Sequence, residues 1–196
     1  MRIARYLLGT RDKGIIIRPQ LTSPTFDVFV DASFAGDFVA ANPDVSWDSS
    51  LFRSRCGHVI CFANVPLLWV SKLASEIALS TTEAEYIALS NSLRDVEPVR
   101  HVLIQVNNSL GLQIPLPTLH CTVFEDNNGA IQLATTPKLR PRMRHIGVKY
   151  HHSLDEIRQG LISIKKIDSE FQRADIFTKA LPVDSFIRLQ KFLLNW

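Results

Sequence analysis

Apolar residues in this chain follow two periods. Between residues 26 and 73 they come in strand-length runs, and after residue 80 many recur at every third or fourth position. "FDVFVDAS" alternates apolar and polar residues, the pattern of a half-buried strand ending at Asp31. "CGHVICFA" and "PLLWVSKL" predict two more strands joined by a tight turn near Asn64, and three strands in succession predict an antiparallel meander. In "STTEAEYIALSNSLRDVEPVRHVLIQV" the residues Ala84, Ile87, Ala88, Leu93 and Val96 form a helical stripe. Pro98 predicts a break there, with a second helix starting at it. "TLHCTVFED" then reads as a buried strand, "NGAIQLATT" as a short helix, "HIGVKYHHSLDEIRQG" as a helix closed by Gly160, and "LISIKKI" as a strand. "RADIFTKALPVDSFIRLQKFLLNW" predicts a helix, a break at Pro182 and an amphipathic helix that docks either on its own sheet or on a partner. Residues 2–8 resemble the end of a helix stopped by Gly9, "GIIIRPQLTSP" a short strand and linker, and residues 38–55 a polar loop. The order β-β-β-α-(α)-β-α-α-β-α implies an α/β fold, a mixed sheet with helices on its faces.

Composition adds bounds to this picture. With 196 residues, 46% hydrophobic and 21% charged, the chain suits one domain with a substantial core. No run approaches ~18 uninterrupted apolar residues, so no membrane span is expected. The basic start "MRIARYLLGT" lacks a signal-peptide cleavage pattern, so secretion is not expected either. Cys56, Cys61 and Cys121 lack metal-site spacing and read as buried small hydrophobes in a reducing compartment. The net charge of +3 is mild, but its distribution is not. Residues 19–52 hold five Asp and no Lys or Arg, whereas residues 127–154 hold five bases, three His and no acid. Either an acidic pocket beside a basic groove or the chance composition of loops accounts for that sorting.

Four acids stand where this element order can bring them together: Asp31 at a strand end, Glu85 in a first helical turn, Asp126 at a strand end and Asp175 at the start of the last helical region. In open α/β sheets, sites gather where strands end and helices begin. Crowded carboxylates repel unless cations neutralise them, and hard divalent ions such as Mg²⁺ take oxygen ligands. Each acid also has a purely structural role open to it. Asp31 can start a turn, Glu85 can complete a capping box with Thr82, Asp126 can cap the helix near Asn127, and Asp175 can answer a helix dipole.

Five stretches, "VDASFAGD", "LSTTEAEYIALS", "EDNNGAI", "RPRMRHIGVKYHH" and "RADIFTKALP", resemble the RNase H domain of copia-type retrotransposon polyproteins, in that family's order and at similar separations. "RIARYLLGT" resembles the segment linking reverse transcriptase to RNase H in those polyproteins, which implies residues 1–24 as the tail of that connection and residues 25–196 as the RNase H domain. The resemblance implies an RNase H-like fold, a five-stranded mixed sheet with three antiparallel strands first. It implies cleavage of the RNA strand of RNA/DNA hybrids, with two Mg²⁺ or Mn²⁺ ions held by four carboxylates. On the family's motifs these are Asp31, Glu85 rather than Glu83, Asp126 rather than Glu125, and Asp175. Strand alternation turns Glu125 to the face opposite Asp126. The expected setting is intracellular, a cytoplasmic particle or the nucleus, with a reverse transcriptase domain of the same polyprotein as partner. One departure stands out: cellular RNases H often carry a His before the last Asp, and here that loop, "DSEFQR", has none.

A hybrid is recognised through backbone and sugar hydroxyls. Lys138, Arg140, Arg142, Arg144 and Lys149 supply charge for phosphates, His145 lies in the family's motif, and Ser33 and Asn127 flank catalytic acids; a solvated loop and cap or turn roles are the alternatives. His145, His151 and His152 have no Cys or acid at zinc spacing. Trp69 reads as a core packing residue and Trp47 as a surface packing residue. Two other classes of function compete with the nuclease: a domesticated nucleic-acid-binding module, and a connector that only positions a polymerase.

Overall fold

The computed structural model describes residues 2–36, 49–111, 114–115, 119–136 and 154–195. Its strands are β1 (Phe26–Ser33), β2 (Arg55–Phe62), β3 (Val65–Leu73), β4 (Cys121–Glu125) and β5 (Ile162–Lys166). Its helices are α1 (Arg2–Thr10), α2 (Thr81–Leu110), α3 (Asn128–Thr135), α4 (Leu154–Arg158) and α5 (Val183–Leu194), with short 3-10 turns at Ser49–Phe52, Ser169–Phe171 and Arg173–Phe177.

The sheet runs β3-β2-β1-β4-β5. β1, β2 and β3 form the antiparallel meander, and β1, β4 and β5 are parallel. This is a five-stranded mixed sheet with three antiparallel strands first, as the resemblance implies. The β2–β3 turn is the two-residue loop Ala63–Asn64, with φ of 50° and 65°, the left-handed pair that matches a hairpin's twist.

Alternation along β1 sends Phe26, Val28 and Val30 to one face of the sheet and Phe29 to the other. The first face takes α2 and α3: Ala84, Ile87, Ala88 and Leu93 pack with Ile60, Val123 and Ile162. The second face takes the 3-10 turn Arg173–Phe177 and α5, with Ala174 and Leu193 against Phe29, Val59 and Cys61. α5 therefore docks on its own sheet. All three cysteines are buried and unpaired, as small hydrophobes.

Four expectations need correction. α2 does not stop at Pro98 but runs through it. Pro98 is exposed, so the bond its missing N–H withholds can be replaced by water, and hydrogen bonding on both sides carries the helix past it. Residues 14–24 form no strand. They make isolated bonds instead, Ile16 N–H to Leu194 O and Gln20 N–H to Ala63 O, and Pro19 and Pro24 deprive the segment of donors for a ladder. The helix predicted at "RADIF" is a 3-10 turn. Trp69 is half-exposed, beside Tyr6 and Phe186 in an apolar groove between α1, β3 and α5. Most of the 38–55 excursion, Trp47 and most of the helix predicted from His145 lie outside the described residues.

Candidate active site

The parallel ladder between β1 and β4 ends at the pair Phe29–Phe124. Beyond it the two strands part, each carrying an acid just past the opening: Asp31 on β1 and Asp126 after β4. Glu85 comes to this edge from the first turns of α2. One ligand oxygen from each of Asp31, Glu85 and Asp126 lies within 4.8 Å of the others. Asp175 approaches from the 3-10 turn on the second face and is linked to Asp31 through a lysine: Lys179 Nζ lies 2.8 Å from Asp31 Oδ1 and 3.0 Å from Asp175 Oδ1.

The local folding excludes two of the alternatives for these acids. The cap of α2 is Ser80, which accepts a bond from Glu83 N–H, and Glu83 Oε2 accepts from Leu79 N–H. The capping pair is thus Ser80 and Glu83, two residues earlier than Thr82 and Glu85, and Glu85 is spared that task. The cap of α3 is Asn127, whose Oδ1 accepts from Ala130 N–H, so Asp126 is not a capping acid. Asp126 instead accepts from Ser169 Oγ at 2.7 Å through its side chain and from Lys166 Nζ through its carbonyl.

Burial and mutual repulsion set the charge state. Asp31 is completely buried. Desolvation, reinforced by Glu125, Asp31 and Asp126, pushes Glu85 up to about 10. One oxygen of Glu85, Oε2, is buried and has no hydrogen-bond partner among the described residues. Desolvation and Asp31 push Asp175 up to about 6 against the pull of Lys179. Burial alone would lower Lys179, but Asp31 and Asp175 hold it above the ordinary lysine value. Such a set of buried oxygen ligands, with repulsion unspent and an acceptor unpaired, fits a hard divalent cation.

Several residues of this site are not among those singled out from the sequence. Glu125 does share a face with Val123, but that is the face from which Glu85 arrives. It is fully buried, accepts a bond from Asn127 N–H at 2.9 Å, and is the strongest acidic influence on Glu85. Gln172, also fully buried, spans the opening between the strands: its Nε2 donates to Val30 O at 2.8 Å and to Phe124 O at 3.3 Å, and its Oε1 accepts from Ala174 N–H. It thereby ties the two acid-bearing strands to the turn carrying Asp175. Thr178 Oγ1 donates to Asp31 Oδ2. Lys179, four residues after Asp175, carried the one readable signal, acid–base spacing on a helical turn.

Gly57 is paired with Asp31 across β1 and β2. A Cβ there would meet Thr178 Cγ2 at 2.7 Å and Phe177 Cβ at 2.8 Å. The turn that carries Asp175 and Lys179 can therefore lie on the sheet only because this position has no side chain. Gly57→Ala should destabilise the fold by about 1–3 kcal/mol, the usual overpacking cost, which chemical denaturation would show. It should also lower activity, because the turn must lift away from Asp31; unchanged stability would show that the turn yields freely.

Of the residues predicted to contact nucleic acid, Ser33 ends β1 half-buried near Asp31. Asn127 stands at the site with its Oδ1 committed to the α3 cap. Lys138, Arg140, Arg142, Arg144, His145 and Lys149 lie outside the described residues. No helix among the described residues is long and apolar enough to cross a membrane.

No family model matches the chain. Curated relatives do: the retrovirus-related Pol polyproteins of transposons RE2 and RE1 of Arabidopsis thaliana, 29% and 28% identical over 92% and 94% of this chain, and of TNT 1-94 of Nicotiana tabacum, 29% identical over 94%. The chain spans only 11–12% of the length of these relatives. Similar solved structures include LC11-RNase H1, isolated from compost by a metagenomic approach (TM-score 0.48, 19% identity, 79% of this chain and 92% of that one). Another is the N-terminal RNase H domain of a Mycobacterium tuberculosis protein (TM-score 0.46, 12% identity, 86% of this chain and 98% of that one). Along nearly its whole length, the chain is similar to one segment of these retrovirus-related Pol polyproteins.

Proposed function

We propose that this chain is a divalent-metal-dependent endoribonuclease that cleaves the RNA strand of RNA/DNA hybrids during retrotransposon reverse transcription. The observation that carries the reading is the convergence of Asp31, Glu85 and Asp126, oxygens within 4.8 Å, on a sheet edge that also receives Asp175. The similarity to retrovirus-related Pol polyproteins of transposons supports the reading.

Asp31, Glu85 and Asp126 would hold one Mg²⁺ or Mn²⁺ ion, and Asp31 with Asp175 would flank a second. Two such ions, when bound, supply an activated water and neutralise the leaving oxygen of an in-line attack on phosphorus. The chain's own work is positional. Gln172 holds the strand ends at a fixed opening, Thr178 fixes the Asp31 carboxylate, and Ser169 with Lys166 fixes Asp126. Ser33, Asn127 and the basic residues Lys138, Arg140, Arg142, Arg144, His145 and Lys149 are the proposed contacts to the hybrid backbone. Residues 1–24 are proposed as the tail of a connection to a reverse transcriptase domain of the same polyprotein, working inside the cell.

A gel assay with a labelled hybrid tests the activity. Shortened RNA in the presence of Mg²⁺ or Mn²⁺, absent with chelator, is the expected result. Retention of the hybrid without cleavage in either metal would replace the nuclease with a binding module, and no retention at all would leave a structural connector.

A further inference from the structure

The carboxylate cluster already contains a cation. Lys179 Nζ bridges Asp31 Oδ1 and Asp175 Oδ1, at 2.8 and 3.0 Å, while Thr178 occupies Asp31 Oδ2. The Asp175 carboxylate is absent from the trio whose oxygens converge within 4.8 Å. The four acids thus divide into two unlike positions. At one, formed by Asp31, Glu85 and Asp126, a buried oxygen of Glu85 has no partner among the described residues. At the other, between Asp31 and Asp175, a protein ammonium supplies the positive charge.

We infer that Lys179 is the resident occupant of the second cation position, so that the site fills in order: one divalent ion enters at Asp31, Glu85 and Asp126, and a second binds between Asp31 and Asp175 only by displacing the lysine. An ammonium at hydrogen-bond distance from both carboxylates leaves no room for an ion bridging the same two oxygens, and two cations a few ångströms apart repel strongly in a partly buried site. Displacement is feasible because lysine's charge sits on a flexible stem, and the Lys179 side chain is 37% exposed, with water to receive it. Before metal arrives the lysine keeps Asp31 and Asp175 from repelling each other, so Lys179 is a positioning residue that also sets the affinity of the second ion.

The inference rests on the divalent-metal reading above, and the test separates the two. The chain is titrated with Mn²⁺, with bound ion counted by electron paramagnetic resonance. The wild type should take up one ion first and a second about tenfold or more weakly, the separation expected when a fixed charge must be expelled. Lys179→Met should bring the second affinity toward the first, and Lys179→Arg, which keeps the charge, should preserve the wild-type separation. On the wild type alone, Ca²⁺ titration of ¹⁵N-lysine-labelled protein should leave one carboxylate-protected ammonium signal intact through the first equivalent and remove it with the second. Two ions of equal affinity in the wild type, or an unchanged pattern in Lys179→Met, overturns the role of Lys179 and leaves the metal site standing. No bound ion at all overturns both.

Discussion

Asp31→Asn should reduce hybrid cleavage by about a thousandfold or more, the loss expected when several kcal/mol of ion-borne transition-state stabilisation is removed. Asp31 is the acid common to both proposed cation positions, within reach of Glu85 and Asp126 on one side and joined to Asp175 through Lys179 on the other. The change is nearly isosteric and relieves repulsion: Asp31 raises Glu85 and Asp175 alike, and Lys179 retains Asp175 as a partner. Thermal melting without metal should therefore match or slightly exceed the wild type, and hybrid retention on a gel should persist, since none of the proposed backbone contacts is Asp31 itself. Full Mg²⁺-dependent cleavage by this variant would sink the site assignment.

Without divalent ions, the protein should lose on the order of a few kcal/mol of stability between about pH 5 and about pH 8. The sign follows from Glu85, pushed up to about 10, and Glu125, pushed up to about 8, chiefly by burial in both cases. A carboxyl with a raised pKa holds its proton in the folded state where the unfolded chain has released it. The folded state binds more protons across that window, so stability is full below the unfolded value of about 4.5 and declines as pH rises through the folded values. Divalent ions reverse the trend, because their ligands must be deprotonated and their affinity rises with pH. At a concentration a hundredfold above Kd, Mg²⁺ or Mn²⁺ should restore about 2.7 kcal/mol. Melting curves in chelator and in metal, each followed across pH, check both halves. A pH-independent melting temperature in chelator would mean that Glu85 and Glu125 are not held protonated.

How much of this was legible depended on whether the signal was local. Strand alternation around Asp31 and the Asn64 hairpin needed only neighbouring residues, and both were readable within a residue or two. Pro98 misled because a local rule about one missing donor competes with thirty residues of helix and an exposed location. The four acids stand in stretches that carry the resemblance, but their division into a trio and a lysine-bridged pair is not visible in the sequence. Lys179 meets Asp31 across 148 positions, and Gln172 meets Val30 across 142, so no window of sequence contains either contact. Glu125 was set aside on a sound rule of alternation, whose missing premise was that Glu85 arrives on that same face.

The separation in sequence that hid Gln172, Thr178 and Lys179 also sets the order in which the site comes into being. During synthesis the strands bearing Asp31 and Asp126 and the helix bearing Glu85 emerge well before residues 172–179. Until those residues dock, nothing spans the gap between Val30 and Phe124, and no lysine answers Asp31. Contacts of such long range form late, because closing the loop costs entropy before the contact repays it. A nascent chain therefore carries its four acids well before it has the site they form, which is complete only once the last turn has settled on Gly57.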